Sequence, residues 1–273
     1  LYPTSLLFAG DEIWALNAHF WIHLLLAPLG LYWLARRWGL SREASWMGGV
    51  AYAASGYLLS TLNLYNLVAP VALAPPFVAA VMALAERRRP LDLCAAVGLW
   101  ALLLLGGDPM TAVMALGLAL AAVVVRPGGG WRKASPVAGA VGLGTLVALP
   151  QIVELLRILP HTYRGFRGYS AEGATMASWN PLSAIEWFVP LVFGWPDLGY
   201  WGRAFHGDDL PLFFSLAPGV LAIALVIGAG RPSDRVAWFA WGSVAVGIFL
   251  ALGRHNPLVG PVLTASGLDL LRL

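Results

Sequence analysis

Long runs of apolar residues recur along the chain and alternate with short polar stretches. Each run holds roughly 14 to 22 residues, which as an α-helix at about 1.5 Å per residue approaches the roughly 30 Å hydrocarbon thickness of a bilayer. The runs are apolar on all sides, as in AAVGLWALLLL, and lack the alternation of membrane-barrel strands. The pattern predicts spanning helices at 14–35, 44–62, 67–85, 91–105, 112–125, 135–153, 211–229 and 236–252.

The composition points to the same fold class. Hydrophobic residues make up 59% of the chain and charged residues 11%, whereas soluble domains carry about 25% charged residues. We therefore expect an all-α, polytopic transmembrane bundle of about eight helices, forming a single transmembrane domain over 1–273. The chain begins at Leu1 and ends at Leu273 inside an apolar pattern, which favours an internal piece of a longer protein.

Basic residues mark one set of connections between the predicted helices. They are Arg36, Arg37, Arg42, Arg87, Arg88, Arg89, Arg126, Arg132, Lys133, Arg231 and Arg235. The alternate connections near 63–66 and 106–111 carry no basic residue. The positive-inside rule predicts that the basic set is cytoplasmic and that the first helix begins outside. The pI of about 9.2 thus reflects topology and does not indicate nucleic acid as a partner.

The longest connection, 154–210, combines proline, glycine and many aromatic residues with scattered charges. Tryptophan and tyrosine are enriched where membrane meets water, so this extracytoplasmic loop is expected to lie along the interface. The two short helices predicted at 91–105 and 112–125 meet at Gly106, Gly107, Asp108 and Pro109, which predicts a turn near the same interface.

Three outer carboxylates are candidate catalytic residues. Asp11 and Glu12 precede the first helix, where they could act as a general base or hold a divalent cation. The alternative is a solvated helix start, since acids favour the positive end of the helix dipole. Asp108 precedes Pro109, an arrangement that fits either an ordinary N-cap or a functional acid at membrane depth.

His19 and His23 lie one helical turn apart in the outer half of the first helix. Two histidines at this spacing could ligate zinc, but a zinc site needs three or four ligands and no partner is specified. The alternative is hydrogen bonding to neighbouring helices.

The strongest polar cluster runs from the sixth predicted helix into the long loop. It comprises Gln151, Glu154, Arg157, His161, Arg164 and Arg167. Arginines on the outer side oppose the positive-inside bias, and bidentate binding of phosphate would account for them. Pairing with lipid head groups or with Glu154, Glu172 and Glu186 is the alternative. A second cluster holds His206, Asp208 and Asp209, where metal binding and helix capping both fit.

The order of several segments resembles the bacterial YfhO-like membrane proteins, which are similar to glycosyltransferases of the GT-C superfamily. These segments are YPTSLL, RRWGLSREASWMGGVAYAASGY, LNLYNLVAPVALAP, GGDPMTA, LPQIVELLRILPHTYRG, NPLSAIEWFVPLVFGWP, FHGDDLPLFFSLAPGVLAI and LGRHNPL. The resemblance covers almost the whole chain, and the order of the segments carries it.

This resemblance implies a GT-C-like core that transfers a sugar from a polyprenyl-phosphate carrier to a polymer or lipid acceptor of the cell envelope. The reaction would take place on the outer face of the bacterial cytoplasmic membrane. It implies that Arg157, Arg164 or Arg167 binds the phosphate and that an outer carboxylate is the base. The paired carboxylates Asp11 and Glu12 make a divalent cation the one cofactor to consider. GT-C enzymes usually carry their principal acid in the first outer loop, so that acid is expected upstream of Leu1.

Two other functions fit the sequence. Short, interrupted helices and buried acids are also typical of transport paths, which favours a lipid or solute transporter or flippase. A non-catalytic assembly subunit is the third reading. No P-loop, dinucleotide-binding fingerprint, HExxH or GxSxG motif occurs, so nothing in the chain indicates ATP-driven transport.

Overall fold

A computed structural model describes residues 2–126, 130–162, 178–189, 191–194, 199–202, 218, 222–223, 226–227 and 234–258. Within these residues the secondary structure is helical and contains no strand, which confirms the all-helical prediction for this part of the chain. The α-helices delimited there are α1 (Glu12–Arg37), α2 (Arg42–Ala53), α3 (Gly56–Ser60), α4 (Tyr65–Arg87), α5 (Pro90–Leu105), α6 (Pro109–Val125), α7 (Trp131–Ile158) and α8 (Arg235–Ala251). Short 3-10 helices occupy Pro3–Ala9, Thr61–Asn63, Leu159–His161, Pro181–Trp187 and Gly253–His255.

Three of these helices, α1, α4 and α7, are long and apolar enough to cross a membrane, whereas α5, α6 and α8 are apolar but shorter. The count of about eight spans therefore stays a prediction. The continuous helix predicted at 44–62 is wrong, because α2 ends at Ala53 and α3 starts at Gly56. The hydroxyl of Ser55 accepts a hydrogen bond from the Leu58 amide at 3.3 Å and so caps a new helix. The helix predicted at 211–229 lies almost entirely outside the described residues.

The chain divides into two compact units. The first comprises Leu1–Ala53 and Thr61–Ile158, and the second comprises Ala54–Ser60 and Leu159–Leu273. In the first unit α4 is the central helix, since it packs against α1, α5, α6 and α7. Nearly every α4 residue from Val68 to Ala85 is buried.

Helices in this unit approach one another along buried stripes that contain several small residues. The buried stripe of α1 is Ala15, His19, His23, Ala27 and Gly30, and that of α7 is Val137, Ala140, Gly144 and Ala148. Residues three or four apart share one helix face, and small side chains on that face let two membrane helices come close. At Gly30 the approach is so tight that an added Cβ would lie 2.4 Å from the Pro76 ring.

The prolines inside α4 also leave backbone carbonyls without their helical partner. Pro75 has no amide hydrogen, so the carbonyl of Val71 cannot receive the usual bond from four residues ahead. The hydroxyl of Tyr52, on α2, donates to that carbonyl at 2.8 Å. A neighbouring helix thereby satisfies a polar group that lipid could not satisfy.

The basic side chains of the first unit lie mainly at one end of its helices. At one end Glu86 of α4 forms ion pairs with Arg37 of α1, at 3.3 Å, and with Arg126 after α6. We call this the basic end. Because α1 and α4 finish here and α2, α5 and α7 start here, this end also contains Arg36, Arg42, Arg87, Arg88, Arg89, Arg132 and Lys133. At the opposite end, here called the polar end, α1, α4 and α6 begin and α5 and α7 finish.

The second unit is described around α8. The Trp179 amide donates to the carbonyl of Ala251, the last residue of α8, at 2.7 Å. The Arg254 amide donates to the Ser178 hydroxyl at 2.8 Å. These two bonds join the C-terminal end of α8 to the start of the 3-10 helix Pro181–Trp187.

Candidate functional site

The candidate acids Asp11 and Glu12 lie at the N-terminus of α1. The carboxylate of Asp11 accepts a hydrogen bond from the Trp14 amide at 2.7 Å, which makes it the N-cap of this helix. Glu12 occupies the first turn, and both residues are exposed. Asp11 thus stabilises the start of α1, as the capping alternative expects.

Asp108 is a buried acid at the polar end, with 6% of its surface exposed. It caps α6: its carboxylate accepts bonds from the Thr111 amide, at 3.2 Å, and from the Thr111 hydroxyl. Pro109 occupies the first position of the helix, where a missing amide hydrogen costs nothing. Capping explains the position of Asp108, while its burial distinguishes it from the exposed Asp11.

The cluster that begins at Gln151 separates into two parts. Gln151 donates from its side-chain amide to the Leu105 carbonyl at 3.2 Å, and so connects α7 to the end of α5. Glu154 and Arg157 are exposed and form a loose ion pair at 3.8 Å. The Arg157 side chain is 80% exposed. His161, also exposed, ends the short 3-10 helix that follows.

Five further candidates lie outside the described residues. They are Arg164, Arg167, His206, Asp208 and Asp209. Their roles stay as predicted from the sequence.

His19 and His23 are both buried in the α1 stripe and are held by the segment that precedes the helix. The Tyr2 hydroxyl lies 2.6 Å from Nε2 of His23, and the Thr4 hydroxyl lies 2.6 Å from Nδ1 of His19. Nδ1 of His23 must donate to the His19 carbonyl, 2.7 Å away, because a carbonyl only accepts. In a neutral ring Nε2 of His23 then accepts from Tyr2.

These bonds favour the structural reading of the histidine pair. The His19 ring also stacks on Tyr65 of α4, with 4.1 Å between ring centres. Three of the four imidazole nitrogens have hydrogen-bond partners, and only Nε2 of His19 has none. Across the described part of the chain, no three His, Cys, Asp or Glu side chains converge to hold a metal ion.

An open, apolar groove of about 440 Å³ lies between α5 and α7. Its lining consists of Leu93, Cys94, Val97, Leu143, Leu146 and Val147. Such a lining offers contact to a hydrocarbon chain, and the weakly polar Cys94 thiol is its one hydrogen-bonding side chain.

Glu186, for which the sequence predicts only pairing with arginine, is a buried acid. It lies in the 3-10 helix Pro181–Trp187 and is 7% exposed. Burial raises the pKa of its carboxyl from 4.5 to about 7. Burial, and secondarily the nearby Glu186 charge, raises the pKa of Tyr200 to about 12. An acid that titrates near neutrality is suited to proton transfer.

A three-residue spacing of polar side chains could have revealed Glu186 in the sequence. Asn180, Ser183 and Glu186 are three residues apart, which places them in one row on a 3-10 helix with three residues per turn. All three are buried. The prolines, glycines and aromatic residues of the 154–210 connection predict an interfacial loop there and no regular helix.

No known protein family, curated protein or solved structure matches this chain.

Proposed function

We propose that this protein transfers a sugar from a polyprenyl-phosphate carrier to a cell-envelope acceptor, at the outer face of the bacterial cytoplasmic membrane. The separation of charge in the first unit is the main support. Glu86 gathers Arg37 and Arg126 at the basic end, and basic helix ends face the cytoplasm in membrane proteins. The polar end, where Asp11, Asp108 and Gln151 lie, then faces outside.

The polar end contains the types of groups that this reaction requires. A phosphate leaving group needs cationic stabilisation, and Arg157 is exposed and only loosely paired. Arg164 and Arg167, which follow it in the sequence, carry the same chemistry. An acceptor hydroxyl needs a base to remove its proton, and Asp108 is the buried carboxylate in this part of the molecule.

The carrier also needs a surface for its hydrocarbon chain. The groove between α5 and α7 is lined by apolar side chains, and both helices that form its walls are apolar. Its lining therefore suits a polyprenyl chain, with the phosphate directed towards the polar end.

A transporter or flippase is the second candidate. Its support is the buried pair His19 and His23 inside α1, a helix long enough to span a membrane, since ionisable groups at membrane depth often mark transport paths. The hydrogen bonds to Tyr2 and Thr4 give this pair a structural role that needs no transport.

The test is sugar transfer by the full-length protein in proteoliposomes, with polyprenyl phosphates carrying radiolabelled hexoses as donors. Asp108→Asn keeps a capping side chain but removes the carboxylate, and Arg164→Ala removes a proposed phosphate ligand. We expect both variants to lose transfer by at least about 100-fold, while Arg89→Ala at the basic end retains it. Full transfer by both would refute the site. Movement of labelled lipid across the bilayer without any transfer would favour the flippase.

A further inference from the structure

The 3-10 helix Pro181–Trp187 has its polar side buried and its apolar side exposed. The buried row is Asn180, Ser183 and Glu186, which are 9%, 3% and 7% exposed. A second row, about a third of a turn away, is Leu182, Ile185 and Phe188, which are 59%, 49% and 61% exposed. Both rows follow the three-residue repeat of a 3-10 helix. A helix facing water would have the reverse arrangement, with its apolar row inside.

The attachment of this helix to α8 gives its depth in a membrane. α8 is an apolar helix of 17 residues, so it is about 26 Å long and approaches the thickness of the hydrocarbon layer. Charged residues flank it on both sides, Asp234 and Arg235 at its start and Arg254 shortly after its end. The hydrogen bond from the Trp179 amide to the Ala251 carbonyl holds the 3-10 helix at the C-terminal end of α8.

The tryptophans of this helix fit the same depth. Trp187 is the last residue of this helix and Trp179 lies two residues before its start. The two rings stack with 5.6 Å between ring centres and an interplanar angle of 14°. Indole rings concentrate at the level of the lipid head groups. The Nε1 atom of Trp179 is buried in the protein, so these rings support the depth by their position alone.

We propose that the 3-10 helix Pro181–Trp187 lies at the interface between the outer leaflet of the cytoplasmic membrane and water. Leu182, Ile185 and Phe188 are inserted between the lipid chains of this leaflet. The occupant of this apolar face is the bilayer. The lipid contact accounts for the exposed apolar row, and the buried row keeps the Glu186 carboxyl turned towards protein at the same depth. This inference is independent of sugar transfer, because it rests on the position and polarity of one helix.

Site-directed fluorescence in lipid nanodiscs tests the proposal. Cys94 is the one cysteine of the chain, so Cys94→Ser provides a background for single cysteines at Leu182, Ile185 and Phe188, each labelled with a bimane. We expect lipids with a nitroxide near the head-group end of the chain to quench all three labels about twofold or more. Lipids with a deep nitroxide should quench them less, and aqueous iodide should have little effect.

Three matched positions control the measurement. A label at Arg89→Cys, in an exposed connection at the basic end, shows the response expected for contact with water. A label at Leu146→Cys shows the response expected for contact with lipid, because Leu146 is 63% exposed within the candidate span α7. Ser183→Cys replaces a buried side chain of the polar row and should resist thiol reagents if the helix is folded. Labels at 182, 185 and 188 that respond to iodide as Arg89→Cys does would overturn the proposal. Labels that respond to neither quencher would also overturn it, because protein would then cover this face.

Discussion

Gly49 on α2 tests the close packing of α2 against α1, because its neighbour Gly48 provides a matched control. A Cβ at Gly49 would lie 2.6 Å from the Pro28 carbonyl oxygen, which is backbone and cannot rotate away. A Cβ at Gly48 meets nothing within 4 Å. Alanine is favoured over glycine in a helix by roughly 1 kcal/mol, and overpacking costs about 1–3 kcal/mol. We therefore expect Gly48→Ala to be up to about 1 kcal/mol more stable than wild type, and Gly49→Ala to be about 1–3 kcal/mol less stable than Gly48→Ala.

The free energy of unfolding can be measured by denaturant titration in detergent micelles. Intrinsic fluorescence provides the signal, since 13 tryptophans are distributed along the chain. Both substitutions add one methyl group to the same helix, so propensity and side-chain size cancel in the comparison. A Gly49→Ala variant as stable as Gly48→Ala would show that α2 does not contact α1 as described.

Two further predictions follow from single polar groups. Tyr52→Phe removes the hydroxyl that donates to the Val71 carbonyl and should lower the free energy of unfolding by about 1–3 kcal/mol in the same titration. The control is Tyr32→Phe, because the Tyr32 hydroxyl has no hydrogen bond among the described residues, and this variant should change stability little. Equal losses in the two variants would contradict the reasoning. Folding raises the pKa of Glu186 from 4.5 to about 7. Between pH 4.5 and 7 the folded state therefore keeps a proton that the unfolded state has lost. The free energy of unfolding should fall as the pH rises through this range. At about 1.4 kcal/mol per pH unit the loss is at most about 3.5 kcal/mol. Glu186→Gln should flatten this pH dependence, and a slope that survives the substitution would assign it to other groups.

Within the described part of the chain, apolar runs predicted six of the eight proposed helices, because a helix that is apolar on every side leaves a continuous apolar run in the sequence. The break between α2 and α3 was missed for the same reason, since apolar residues continue on both sides of Ser55 and Gly56. A single hydroxyl that caps a helix does not alter the average hydropathy of the segment. The convergence of Arg37 and Arg126 on Glu86 agrees with the prediction that their connections share one end of the bundle.

The candidate site was less predictable, because it depends on contacts between distant segments. Nothing in the spacing of His19 and His23 indicates that Tyr2 and Thr4 reach back to bind them. Gln151 was grouped with Glu154 by sequence proximity, yet it faces α5 while Glu154 is exposed. Neighbours along a helix often point to different surroundings, and only packing determines which.

The prolines of α4 affect how this protein is made as well as how it is packed. An isolated α4 in the bilayer would present the Val71 carbonyl to lipid until α2 supplies Tyr52, and an unsatisfied carbonyl in hydrocarbon costs several kcal/mol. Since α2 precedes α4 in the chain, its hydroxyl is already synthesised when α4 enters the membrane. We therefore expect membrane insertion and helix pairing to be coupled for this helix, and a truncated chain that starts after α2 to leave α4 a substrate for membrane quality-control proteases.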